Sequence, residues 1–151
     1  MIITLDVSAA IEFIMGRKKQ NFIKSRLENA DWIITPTLYI YEASNVMWKY
    51  KSIKKYKKEI LMKKMRYLLE LIDQFVESKD IYEEAISMSF NIDHPAYDSM
   101  YLVTCRRRNA TLLTLDSRLI KTANKIDIPV FNINSGWISL LDSSVSSILS
   151  L

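Results

Sequence analysis

The chain has 151 residues, 49% of them hydrophobic and 25% charged, and a formal net charge of +4. That length suits one domain with a core that needs no covalent staples, and the composition is that of a globular protein rather than a disordered one. Two glycines and three prolines argue against a loop-rich all-β design, and the single Cys105 excludes an intrachain disulfide framework or a multi-cysteine zinc site.

The opening MIITLDVSAA has no basic n-region and carries Asp6 early, and no apolar run is long enough to span a bilayer. The expectation is a cytoplasmic protein with no membrane association. IITL is predicted as a buried strand stopped by Asp6, and VSAAIEFIMG as a helix ending near Gly16. A shorter amphipathic helix is expected over 20–29, then the strand WIIT. Thr35-Pro36 has the pattern of an N-cap followed by proline at the first helical position, opening a helix through about Tyr50. A long amphipathic helix follows from 54 to about 72, with Ile60, Leu61, Met65, Leu68, Leu69 and Ile72 as its apolar stripe.

A weaker strand is placed around Phe75-Val76. Asp80 is read as the cap of a helix to about Phe90, and His94-Pro95 as the start of another from Ala96 to Arg108. TLLTL reads as a strand, SRLIKTANK as a helix and PVFNI as a final strand. Such alternation implies an α/β fold whose parallel sheet is covered on both faces. No internal repeat or linker divides the chain, so residues 1–151 are taken as one domain, with a basic helical segment at about 51–72 and a short C-terminal tail from about 138. The serine-rich end suits a docking helix or a frayed tail.

The positive charge is uneven. Between Lys49 and Arg66 lie seven further lysines and only one acid, Glu59; shorter clusters occur at 17–19 and 106–108. A basic stripe attracts phosphate backbones without reading sequence, yet it is equally what a solvated helix face looks like. Trp48, Tyr50, Tyr56 and Tyr67 lie in or beside it. They suit base stacking, core packing or a partner interface.

Four acids stand out. Asp6 and Asp116 each end a predicted strand, where capping of the next helix and a ligand site beyond the strand ends are both sound readings. Asp98 shares a helix face with Tyr101, Leu102 and Cys105, so burial of its charge would need compensation. Glu42 lies beyond the first turn of its helix, where the helix dipole explains it less well. Were the four to meet, their repulsion would favour a divalent cation, and oxygen ligands select Mg²⁺ or Mn²⁺ over zinc. His94 is the only histidine and, preceding Pro95, is read as a cap or surface residue. Metal-free RNA cleavage by two histidines is therefore excluded within one chain.

The segments LDVSAAIEF, TLYIYEASNVMWK, HPAYDSMYL and TLLTLDSRL resemble, in order, the four signature segments of PIN-domain ribonucleases, particularly the VapC-type toxins of type II toxin–antitoxin systems. The resemblance spans nearly the whole chain, with "E-x-x-N" at Glu42 and Asn45, "PAYD" ending at Asp98 and "T-x-D" ending at Asp116. It implies a PIN-like three-layer α/β/α fold with a central, mostly parallel sheet of about five short strands and about seven helices. It makes Asp6, Glu42, Asp98 and Asp116 the catalytic, metal-binding quartet for Mg²⁺ or Mn²⁺, supported by Ser8, Asn45 and Thr114. The implied activity is an endoribonuclease cleaving single-stranded or structured RNA with metal-activated water. Lys49, Lys51, Lys54 and Lys55 are the candidate RNA-binding residues. A homodimer and a cognate antitoxin follow from the same resemblance, with the helices around 36–72 as the candidate groove and dimer contact.

This chain departs from the pattern in its lysine-heavy 49–66 segment and its tail beyond Trp137. A dehalogenase-like phosphatase would need a second Asp where Ser8 stands, and a receiver domain would need adjacent acids. Two alternatives remain open: a catalytically silent PIN-fold binding module, and a housekeeping PIN nuclease in RNA processing.

Overall fold

The protein's structure, a computed structural model, describes residues 1–133. The tail expected from about 138 lies outside the described residues. Four strands and seven helices alternate: β1 (Ile2–Leu5), α1 (Val7–Ile14), α2 (Gln20–Glu28), β2 (Trp32–Pro36), α3 (Leu38–Ser52), α4 (Lys58–Glu70), β3 (Gln74–Val76), α5 (Ser78–Ile92), α6 (Ala96–Arg108), β4 (Thr111–Leu113) and α7 (Ser117–Lys125). No helix among the described residues is long and apolar enough to cross a membrane.

The strands form one sheet in the order β3-β2-β1-β4, and every pairing is parallel. Side chains alternate across a strand, and the burial follows that alternation. Ile3, Leu5 and Leu113 pack with α1 to α4, whereas Leu112 packs with Ile81, Leu102 and Leu119 from α5 to α7. Two helical layers therefore sandwich the sheet, which is the α/β/α architecture expected. The α3–α4 pair is fastened inside its layer by Tyr39, fully buried, whose hydroxyl donates to the Leu68 carbonyl at 3.0 Å.

Several boundaries differ from expectation. Thr35 and Pro36 do not open α3; they complete β2, and Thr37 takes the cap position. The hydroxyl of Thr35 donates 2.8 Å to the carbonyl of Leu5, satisfying the end of β1 from inside the sheet. Pro36, which lacks an N–H, is tolerated because the pairing with β1 has already ended at Ile34. The long basic helix begins only at Lys58. The preceding residues turn through Lys55 at φ +58, closed by a Tyr56 to Tyr50 backbone bond and an edge contact of the two rings at 5.4 Å. The cap of α5 is Glu77, with Asp80 inside the first turn. PVFNI is reduced to one bridge, Val130 beside Leu112, so among the described residues the sheet has four strands rather than about five.

Three helices end where the backbone turns left-handed. Gly16, at φ +65, ends α1, and Asp93 and Asn109 end α5 and α6 at φ 48 and φ 49. Asp and Asn tolerate that conformation better than other side chains, so a glycine-poor chain can still stop its helices.

All strands being parallel, their carboxyl ends share one edge. The chain runs from β1 outward to β2 and β3, then returns to place β4 on the other side of β1. The reversal leaves a crevice beyond the ends of β1 and β4, the position where open α/β sheets bind ligands. Asp6 follows β1 there, and its N–H donates to the Leu113 carbonyl at 3.0 Å.

Candidate active site

Asp6 occupies the cap position of α1, with extended φ −87 and ψ 150, yet its carboxylate makes no capping bond. It turns into the crevice. Its Oδ2 accepts from Ser8 Oγ at 2.5 Å and from Thr114 Oγ1, after β4, at 2.6 Å. The two hydroxyls lie 3.1 Å apart, and each serves the β4–α7 turn as well: Ser8 Oγ accepts from Leu115 N–H and Thr114 Oγ1 from Asp116 N–H. Asp6 is only 7% exposed. Burial raises its proton affinity against the lowering effect of the Ser8 and Thr114 hydroxyls, and the charge of Asp98 raises it further. The Ser8 backbone N–H lowers it as well.

Glu42 projects from α3 and is half-buried. Tyr101 on α6, buried beside it, donates its hydroxyl to Glu42 Oε1 at 2.6 Å. Burial pushes the Glu42 carboxyl up from 4.5 to about 7, with the Tyr101 bond working against the rise and the charges of Asp6 and Asp98 adding to it. Tyr101 itself is pushed well above its ordinary range, first by burial and then by Asp6 and Glu42, so its phenol stays a donor. Asp98 lies in the first turn of α6, where the helix dipole favours it, and its Oδ2 is 2.8 Å from His94 Nε2.

Asp116 behaves differently. It caps α7: Oδ1 accepts from the N–H groups of Arg118 at 2.8 Å and Leu119 at 3.2 Å. Its link to the other acids runs through Thr114, whose hydroxyl touches both Asp6 Oδ2 and the Asp116 N–H. The structure thus brings Asp6, Glu42 and Asp98 within reach of one another's charge and tethers Asp116 alongside.

Among the described residues, no three His, Cys, Asp or Glu side chains are close enough to hold a metal ion as they stand. The chemistry of the donors nevertheless fits a hard divalent cation. They are carboxylates from separate elements, Asp98 raising the proton affinity of Asp6 and both raising that of Glu42, and an oxygen-binding ion would relieve that repulsion. Coordination would require the side chains to close in from their present protein partners.

Asn45 is exposed, one turn along α3 from Glu42, and Lys49 and Lys51 are exposed on the last turns of the same helix. Lys54 and Lys55 sit in the α3–α4 connection, exposed, with Lys55 Nζ donating to the Ser52 carbonyl at 2.8 Å. A groove lies between the end of α1 and α4. It has a volume of about 730 Å³ and is lined by Ile14, Ile60, Lys63, Lys64, Arg66, Tyr67 and Glu70, so none of the four acids borders it.

Residues 3–125 match the PIN domain family. The chain belongs to the PIN domain family. No curated protein matches it as a relative. Its PIN domain is similar in fold to the crystal structure of PAE2754 from Pyrobaculum aerophilum, with a TM-score of 0.69 at 17% identity over 95% of this chain and 91% of that one. The crystal structure of VapBC2 from Rickettsia felis, bound to a DNA fragment from their promoter, gives 0.64 at 18% identity over 87% and 98%. That of FitAcB from Neisseria gonorrhoeae gives 0.62 at 18% identity over 87% and 97%.

Two residues of this PIN domain escape the sequence reading. Tyr101 looks like part of an apolar stripe, but its hydroxyl is the partner of Glu42. His94 is neither a cap nor a surface residue: its side chain is 7% exposed and its ring is held between α6 and α7. The one available signal is its spacing, since residues 94 and 98 lie one helical turn apart.

Proposed function

We propose that this PIN domain is a Mg²⁺- or Mn²⁺-dependent endoribonuclease, the toxin of a VapC-like pair. The observation that carries this reading is the electrostatic convergence of Asp6, Glu42 and Asp98 from three elements at the sheet's switch point. Asp6, Glu42, Asp98 and Asp116 would hold the ion. When bound, such an ion activates water and neutralises charge developing on a phosphodiester. The chain's own residues prepare the site. Ser8 and Thr114 orient Asp6, Tyr101 fixes one oxygen of Glu42, and the N-terminal turn of α6 favours the negative charge of Asp98.

Lys49 lies seven residues beyond Glu42, about 10 Å along α3 at 1.5 Å per residue. With Lys51, Lys54 and Lys55 it offers exposed positive charge for an RNA backbone leading away from the acids. The fold shared with VapBC2 and FitAcB supports an antitoxin partner, and an Arg from such a partner would pair with the acids and oppose the ion. Large apolar side chains exposed on the helices around 36–72, among them Tyr41, Trp48, Ile60 and Met62, support contact with a second copy in a homodimer.

Cleavage of total RNA with Mg²⁺, Mn²⁺ or EDTA tests the proposal, comparing wild type with Asp98→Asn. Activity is expected only with metal and only in wild type. Equal cleavage by both proteins, or cleavage that survives EDTA, would sink it. Asp116 offers a sharper test because its two roles separate. Asparagine caps about as well as aspartate, so Asp116→Asn should keep its denaturation midpoint, whereas Asp116→Ala should lose about 1 kcal/mol. Both should lose cleavage, and an active Asp116→Asn would restrict that residue to capping.

A further inference from the structure

His94 is the most heavily fastened side chain near the acids that has no part in the proposed chemistry. Its backbone N–H donates to the Ser89 carbonyl at 3.2 Å, and its carbonyl accepts from Ser89 Oγ. The left-handed Asp93 and the extended Pro95 set it between two helices, with its ring turned inward. Ring Nε2 lies 2.8 Å from Asp98 Oδ2, and ring Nδ1 lies 3.3 Å from Thr122 Oγ1 on α7.

The Thr122 hydroxyl, 3.3 Å from ring Nδ1, also donates to the Arg118 carbonyl at 2.9 Å. Arg118 N–H in turn donates to Asp116 Oδ1. One chain of polar contacts therefore runs from Asp98 through His94, Thr122 and Arg118 to Asp116. At its first end, among the described residues, Asp98 is engaged through Oδ2, which leaves Oδ1 for another ligand.

We infer that His94 is a positioning residue: it fixes the rotamer of Asp98 and ties α6 to α7, holding Asp98 in register with Asp116 for the metal. The inference rests on the metal-dependent reading proposed above. A rigid ring held at both nitrogens suits this task better than a flexible side chain would. Carboxylate ligands are oriented by their own hydrogen-bond partners, and loss of such a partner costs about 10- to 100-fold in metal affinity.

The test is the Mn²⁺ concentration needed for half-maximal thermal stabilisation of the purified full chain, in wild type, His94→Leu, His94→Gln, Thr122→Val and Asp98→Asn. His94→Leu is expected to need at least about tenfold more Mn²⁺. His94→Gln, whose amide can still donate to Asp98, should recover most of that loss. Thr122→Val, which cuts only the α7 end, should shift the requirement in the same direction by less. In RNA cleavage the His94→Leu loss should fall on kcat with KM unchanged.

A wild-type Mn²⁺ requirement in His94→Leu, or Gln performing no better than Leu, would overturn the inference. Should His94→Leu not fold, an unchanged requirement in Thr122→Val would do the same. Asp98→Asn distinguishes the failures. If it too binds Mn²⁺ like wild type, the metal reading is at fault; if it alone loses Mn²⁺, only the role of His94 is.

Discussion

Asp6→Asn is expected to give a protein more stable than wild type without metal and inert towards RNA. Asp6 is the most buried of the four acids, and burial is the largest cause of its raised proton affinity. The folded state therefore resists its charge. Asparagine keeps a carbonyl oxygen for the Ser8 and Thr114 hydroxyls, so the polar network survives with no charge for Asp98 and Glu42 to oppose. A gain of about 1 kcal/mol in the metal-free unfolding free energy is reasonable for one relieved charge. Cleavage should fall on the order of 10³-fold or more, because one electrostatic anchor of the transition state is gone. Urea denaturation and a single-turnover cleavage assay read the two effects separately. A destabilised Asp6→Asn would show that the network needs the carboxylate for structure, and an active one would remove Asp6 from the chemistry.

The same comparison explains what the sequence could and could not convey. Asp6 and Asp116 look equivalent in it, each an acid between a strand and a helix. Only Asp116 caps, because the partners that turn Asp6 inward include Thr114, 108 residues away. Local pattern has no access to that contact. Strands β1 and β2 were legible as apolar runs, and α6 through its Pro start and apolar face, since those signals are local. Thr35-Pro36 misleads for the opposite reason. It carries a genuine helix-start signature, but the Leu5 carbonyl recruits the Thr35 hydroxyl and the pairing of Pro36 with Val76 extends β2. PVFNI has strand composition but gains only one bridge at the sheet edge. The acids of the candidate site were visible as residue types in family order. Their supports were harder to see, because Tyr101 and His94 act through side-chain contacts that look apolar or superficial in sequence.

Glu42 makes the pH behaviour of this protein run against the usual pattern for a carboxylate. Its folded value of about 7 lies above the ordinary 4.5, so between those values the native state holds a proton that the unfolded chain has released. Stability then falls as pH rises, by the linkage relation, and levels off above about 7. The slope should lie well below the roughly 1.4 kcal/mol per pH unit of one fully protected proton, because Glu42 is partly solvated. Metal should reverse the trend. An ion and a proton compete for the same carboxylate, so Mn²⁺ should stabilise little near pH 5 and progressively more towards pH 8. Glu42→Gln should flatten the metal-free profile. Tyr101→Phe, which removes the one bond that lowers the Glu42 carboxyl, should carry the decline to higher pH. Urea midpoints from pH 5 to 8, with and without Mn²⁺, measure all of this. A metal-free profile that rises across that range, or two profiles that run parallel, would mean that Glu42 is neither the buried acid nor the ligand assigned to it.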